Sequence, residues 1–145
     1  MPGRETDIND PAILDRAAES RGAIMFHELL HFVSQGQMGE VLRRARDNGA
    51  RISGINTNVP RITDVRLGSF AATPGSQQAS NDGNVLFEID PQARAYHHEL
   101  TSRLARLTFG RYAAAMNADS YTMLAVGTYY TRARFLCIYE LTMNT

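Results

Sequence analysis

The chain has 145 residues, 43% hydrophobic and 21% charged, which suits one globular domain and excludes a disordered or collagen-like chain. Fifteen Lys+Arg balance fifteen Asp+Glu, so no net charge draws it toward nucleic acid or an anionic membrane. The lone cysteine, Cys137, excludes an internal disulfide and a cysteine-based zinc site.

Residues 1–9 are polar and expected to be loose. Asp10-Pro11 is a helix start, a capping carboxylate before proline at the first helical position. That helix should run through Ala12 to Ser20, with a bend or break near Gly22. The run from Ala23 to Val33 is apolar nearly all round, the signature of a buried helix, and Ser34-Gln35-Gly36 ends it. Residues 38–48 predict an amphipathic helix with Val41, Leu42 and Ala45 inward, closed by Asn48-Gly49. Its arginines, Arg43, Arg44 and Arg46, lie between Glu40 and Asp47 and read as a solvated face.

β-Branched residues in rough alternation predict short strands over 51–55 and 61–67. Residues 71–84 are small, polar and turn-rich, as in an exposed inserted loop, and a further strand is expected over 85–89. Pro91 should open a helix to about Leu107, with Leu100, Leu104 and Leu107 on one face. Another helix is expected from Arg111 to about Arg134, broken at Gly127, then a terminal strand over 135–141. Within it Cys137 is expected to act as a small buried hydrophobe, and Met25, Met116 and Met123 as core filler. No repeat or linker divides the chain, so a single domain over 1–145 is expected. No apolar run approaches the roughly 20 residues of a membrane span, and the N-terminus has no apolar signal core.

The segment with chemistry is His27-Glu28-Leu29-Leu30-His31, an HExxH pattern. Helix positions four apart share a face, so His27 and His31 can offer two imidazoles to one Zn²⁺. Glu28 is offset around the helix, where it can take a proton from a water activated by the metal. A peptidase site needs a third protein ligand. The available residues are Asp64, Asp90, His97, His98, Glu99 and Asp119.

Ala115 to Ala125, AMNADSYTMLA, resembles the NADSY helix of the deuterolysin and lysine-specific metalloendopeptidase family, the aspzincins. HExxH at 27–31 followed by NADSY at 117–121 is that family's order. Thr63 to Gly68 is similar to its TxDxxYG segment, with Leu67 where tyrosine stands there. Ala95-Tyr96-His97 is similar to the YG start of the helix before NADSY, with His97 in place of glycine. The family's single Asp-and-Tyr segment is thus split here, with 71–84 as the insertion.

The resemblance implies zinc ligands His27, His31 and Asp64, with Asp90 the alternative third ligand. Asp90 is equally a good cap before Pro91. Glu28 would be general base and acid, and Tyr96 would donate a hydrogen bond to the tetrahedral oxyanion. Asp119 would orient a ligand or hold its helix against the zinc helix. His97 and His98 are expected on the helix surface. The implied fold is α+β, a helix-rich zincin-like domain with a small β-sheet drawn from the strands above. The implied function is a Zn²⁺-dependent endopeptidase acting on a peptide or protein substrate, with no nucleic-acid or membrane partner. The family's proteins are secreted or delivered, which fixes no location for this chain. The alternative is a non-catalytic helical interaction domain, or an inactive homologue, in which the HExxH helix is structural.

Overall fold

The computed structural model describes residues 11–34, 38–52 and 61–143, with side chains described as far as residue 132. The expected loose segment 1–9 and the capping Asp10 lie outside these residues. Helix α1 (Pro11–Ala18) ends two residues earlier than expected, because Ser20 starts the next helix by accepting a hydrogen bond from the Ala23 N–H at 3.3 Å. The break therefore falls before Gly22, which lies inside α2 (Arg21–Val33). Ser34 closes α2 and also accepts from the Ile62 N–H at 2.8 Å, tying the end of α2 to the following extended segment.

Helix α3 (Gly39–Asp47) buries Leu42 and Ala45, while Arg43 and Arg44 pair with Glu40 on its solvated side. Residues 61–66 are extended and lead into a short 3₁₀ turn, Leu67–Phe70, that buries Leu67 and Phe70. Helix α4 (Gln77–Leu86) follows, capped by Ser76, whose hydroxyl accepts from Ala79 N–H at 3.0 Å. A buried carboxylate, Asp82, anchors it by accepting from Ala72 N–H, Thr108 N–H and the Thr108 hydroxyl.

Helix α5 (His97–Arg106) turns sharply into α6 (Gly110–Met116). A Cβ at Gly110 would lie 2.2 Å from the Ala105 carbonyl oxygen, so only glycine permits this approach. Asn117, with extended backbone, separates α6 from α7 (Ala118–Met143). The expected break at Gly127 is thus placed ten residues too late, and Gly127 lies within α7.

The small β-sheet, and with it the α+β class, is not what the described residues form. The described residues contain seven α-helices and no strand. Only two isolated bridges occur among them, Thr63 with Asn117 and Arg66 with Arg94. Residues 51–52 are irregular and 53–55 lie outside the described residues. The stretch 61–67 is extended but turns at Leu67 before a ladder can grow. Residues 71–76 are loop and turn as expected, but 77–86, spanning the rest of the expected loop and the start of the expected strand 85–89, form α4, because Ser76 and Asp82 supply a cap and an anchor that hydropathy patterning does not register. Residues 135–141 continue α7, which meets no proline after Ala118. The Cys137 side chain lies outside those described.

The core is built from Leu42, Ala45, Val65, Leu67, Phe70, Leu104, Leu107, Ala113 and Met116, under the extended segment and between α3, α5 and α6. Helix α2 stands apart from it. None of its residues is buried, contrary to the all-round apolar pattern, and Met25 is 73% exposed instead of filling the core.

Candidate metal centre

Helix α2 stacks His27 and His31 one turn apart, with ring centroids 4.9 Å apart edge to face. His31 Nδ1 lies 2.9 Å from the Ile62 carbonyl oxygen, and His27 Nδ1 lies 3.1 Å from Asp119 Oδ1. The Ile62 carbonyl only accepts, so His31 Nδ1 donates to it; His27 has a carboxylate oxygen at each ring nitrogen, and the tautomer that suits a metal is the one in which its Nδ1 donates to Asp119. In the neutral rings that leaves both Nε2 atoms as bare lone pairs. They face each other at 3.2 Å. Asp64 Oδ1 completes a triangle, 3.0 Å from His27 Nε2 and 3.2 Å from His31 Nε2.

Three lone pairs at this spacing repel unless a cation or proton lies among them. Ligand atoms about 2.0–2.1 Å from a tetrahedral zinc lie about 3.3 Å from one another. The His27–His31–Asp64 group can therefore hold a metal ion, and two imidazoles with one carboxylate are a donor set that suits zinc.

Asp64 reaches the triangle from the extended segment. Its other oxygen, Oδ2, accepts from the Tyr96 hydroxyl and from Arg94 Nη1, both at 2.7 Å. Burial pushes the Asp64 carboxyl up, but Tyr96, the two histidines and Arg94 outweigh it and hold the group below its ordinary value. Burial, then the bond to Asp64, pushes the Tyr96 hydroxyl up, so it stays a donor.

Asn117 brings the two separated segments together. Its Oδ1 accepts from Val65 N–H at 3.0 Å, and its Nδ2 donates to the Ala95 carbonyl at 2.9 Å. Backbone bonds from Ala95 N–H to Val65 and from Leu67 N–H to Ala93 lay 65–67 against 93–95. Two residues on, Asp119 accepts from His27 through Oδ1 and from the His97 N–H through Oδ2. His97 is the single non-glycine residue with positive φ among those described, at +59°.

Glu28 is exposed and next to His27 around α2, with no hydrogen bond or ion pair among the described residues. It borders a cavity of about 230 Å³ together with His27, Tyr96, His97 and Asp119. Asp90 is elsewhere, exposed in a turn where its Oδ1 accepts from Gln92 N–H at 2.8 Å. His98 lies near the surface and donates from its backbone N–H and Nδ1 to Asp15 of α1.

Sequence reasoning missed Arg94 and Asp15, and gave Asn117, the first residue of NADSY, no role of its own. Arg94 had a signal, since alternate residues of an extended stretch share a side and Tyr96 was already in view. Asp15 bonds His98 and Asn117 bonds Val65 and Ala95, long-range contacts whose partners no local pattern names. In comparison with known proteins, no family model, curated protein or solved structure matches the chain.

Proposed function

We propose that the chain is a zinc-dependent endopeptidase of aspzincin type. The observation that carries this reading is the triangle of His27 Nε2, His31 Nε2 and Asp64 Oδ1, with an acceptor beside each Nδ1. Two further features support it. Tyr96 and Asp64, distant in sequence, touch at 2.7 Å, as one split segment requires. His97, where the family pattern has glycine, holds the left-handed backbone that glycine favours.

His27, His31 and Asp64 would hold the metal. What zinc supplies when bound is Lewis acidity, polarising a carbonyl and making water acidic near neutral pH. Glu28, unengaged at the cavity edge, accepts the proton of the attacking water at a carboxylate oxygen. The same carboxylate then returns that proton to the leaving amine. The Tyr96 hydroxyl rests on Asp64 Oδ2 and can turn its proton to the oxyanion that develops on the substrate. Asp119 and the Ile62 carbonyl keep the two imidazoles in the tautomer that leaves Nε2 free.

The competing reading is an interaction domain, favoured by the absence among the described residues of a strand edge to bind substrate. Elemental analysis separates the two. The peptidase reading expects about one zinc per chain, lost in His31→Ala. It also expects Glu28→Gln to keep the metal and lose hydrolysis of a denatured protein substrate. Folded wild type that takes up no zinc on reconstitution refutes it.

A further inference from the structure

We propose that the outer face of α2 is a self-association surface, covered by α2 of a second copy of this chain. At 100° per residue, Ile24, Phe32, Met25, Leu29, Val33 and Phe26 sweep about 200° of the helix, opposite and beside the His27–His31 face. Glu28 and Arg21 are the only charges in that arc. A helix on a protein surface ordinarily turns polar groups outward, whereas one apolar nearly all round is covered on all sides. Here the fold covers one side. Ile24 is 50% exposed, Met25 73%, Leu29 52%, Phe32 80% and Val33 52%.

Size and charge point to a second copy. With Phe26, these side chains expose the equivalent of roughly 700 Å², close to the roughly 800 Å² per partner of a stable interface. The chain is neutral, so two copies do not repel. Met25, Leu29 and Phe32 follow i, i+4, i+7 spacing, a stripe along one side of the helix. A two-fold axis crossing between Glu28 and Leu29 sets Met25 of one copy against Phe32 of the other, and the reverse. That is the self-complementarity an isologous interface needs. His27 and His31 face away from the axis, and Glu28 lies inside the arc, about 40° in from its Ile24 edge.

The test is sedimentation velocity and light scattering on the full chain, from low micromolar to about 200 micromolar. Wild type is expected at twice the chain mass of 16.1 kDa. Met25→Glu and Phe32→Glu alter highly exposed residues, so they should stay folded by circular dichroism and run as monomers. Phe87→Glu, 91% exposed at the end of α4, controls for removing any surface apolar residue and should stay dimeric. A folded wild-type monomer across the range overturns the proposal. So does polydisperse aggregation, or a dimer that survives both α2 variants. Zinc content is measured on the same samples, and its outcome bears on the metal centre without altering the mass result.

Discussion

Asp119→Asn replaces the carboxylate that holds His27 with an amide of the same shape. Asp119 serves two donors, His27 Nδ1–H at 3.1 Å and the His97 N–H. An amide has one accepting and one donating head. If its oxygen keeps the His97 N–H, its NH₂ faces His27 Nδ1 and donates. His27 Nδ1 must then accept, and the ring proton moves to Nε2, the atom that would bind the metal. If the amide flips, its NH₂ opposes the His97 N–H and leaves that donor unpaired. The first orientation costs metal affinity; the second spares the His27 tautomer and costs the hydrogen bond at the His97 N–H instead. Loss of an outer partner of this kind weakens metal binding about 10–100-fold, or about 1.4–2.8 kcal/mol. Zinc affinity by competition with a chromophoric chelator measures the loss, and ¹⁵N shifts of His27 in the metal-free protein report the tautomer. A folded variant that binds zinc within about threefold of wild type and keeps the Nδ1–H tautomer refutes the argument.

Asn117→Ala leaves the Val65 N–H and the Ala95 carbonyl unpaired in fully buried residues. At about 1–3 kcal/mol per orphaned group, urea unfolding should show a loss of about 2–6 kcal/mol; a loss under about 1 kcal/mol would count against the pinning role. His97→Gly removes left-handed strain of about 1 kcal/mol against a similar entropic cost, so the melting temperature should hold or rise. His97→Val, β-branched at positive φ, should lower it, and equal losses in both variants would mean the side chain matters more than the backbone. In metal-free protein the lowered Asp64 carboxyl contributes stability that is full above about 3.9. That contribution fades as pH falls through the lower folded value. The raised Tyr96 hydroxyl works in reverse, its contribution being full below about 10 and lost as pH rises through the higher folded value. Asp64→Asn should flatten the acid limb of the stability profile and Tyr96→Phe the alkaline limb; an unchanged profile in either variant contradicts the assignment.

The local signals of this chain were legible and its long-range ones were not. The i, i+4 spacing of His27 and His31 states their shared face, and α3 follows from its apolar period and closing glycine. The likeness of Thr63 to Gly68 to TxDxxYG favours Asp64 over Asp90, but that Tyr96 and Arg94 would stand beside Asp64 depends on the pairing of 65–67 with 93–95 and on a buried side chain at Asn117. The strand at 85–89 failed for the same kind of reason. Asp82 fixes α4 through partners at Ala72 and Thr108, ten and twenty-six residues away. Helix α2 misled most, since its apolar pattern was read as burial within the chain while its outer residues remain exposed.

The excursion between Leu67 and Ala93 leaves and returns at one point. Gly68 N–H bonds the Pro91 carbonyl at 2.8 Å, and a Cβ at Gly68 would lie 3.1 Å from Pro91 Cβ. The neck is thus as tight as a hairpin turn, and the route from Asp64 to Tyr96 across it is a single contact. A candidate centre divided this way tolerates growth in its middle. Chain length added at the exposed tip, Thr73-Pro74-Gly75, costs loop entropy that rises only with the logarithm of length. The two halves of the centre can therefore drift far apart in sequence while remaining neighbours in space, which gives such a domain a place to acquire new surface without rebuilding its chemistry.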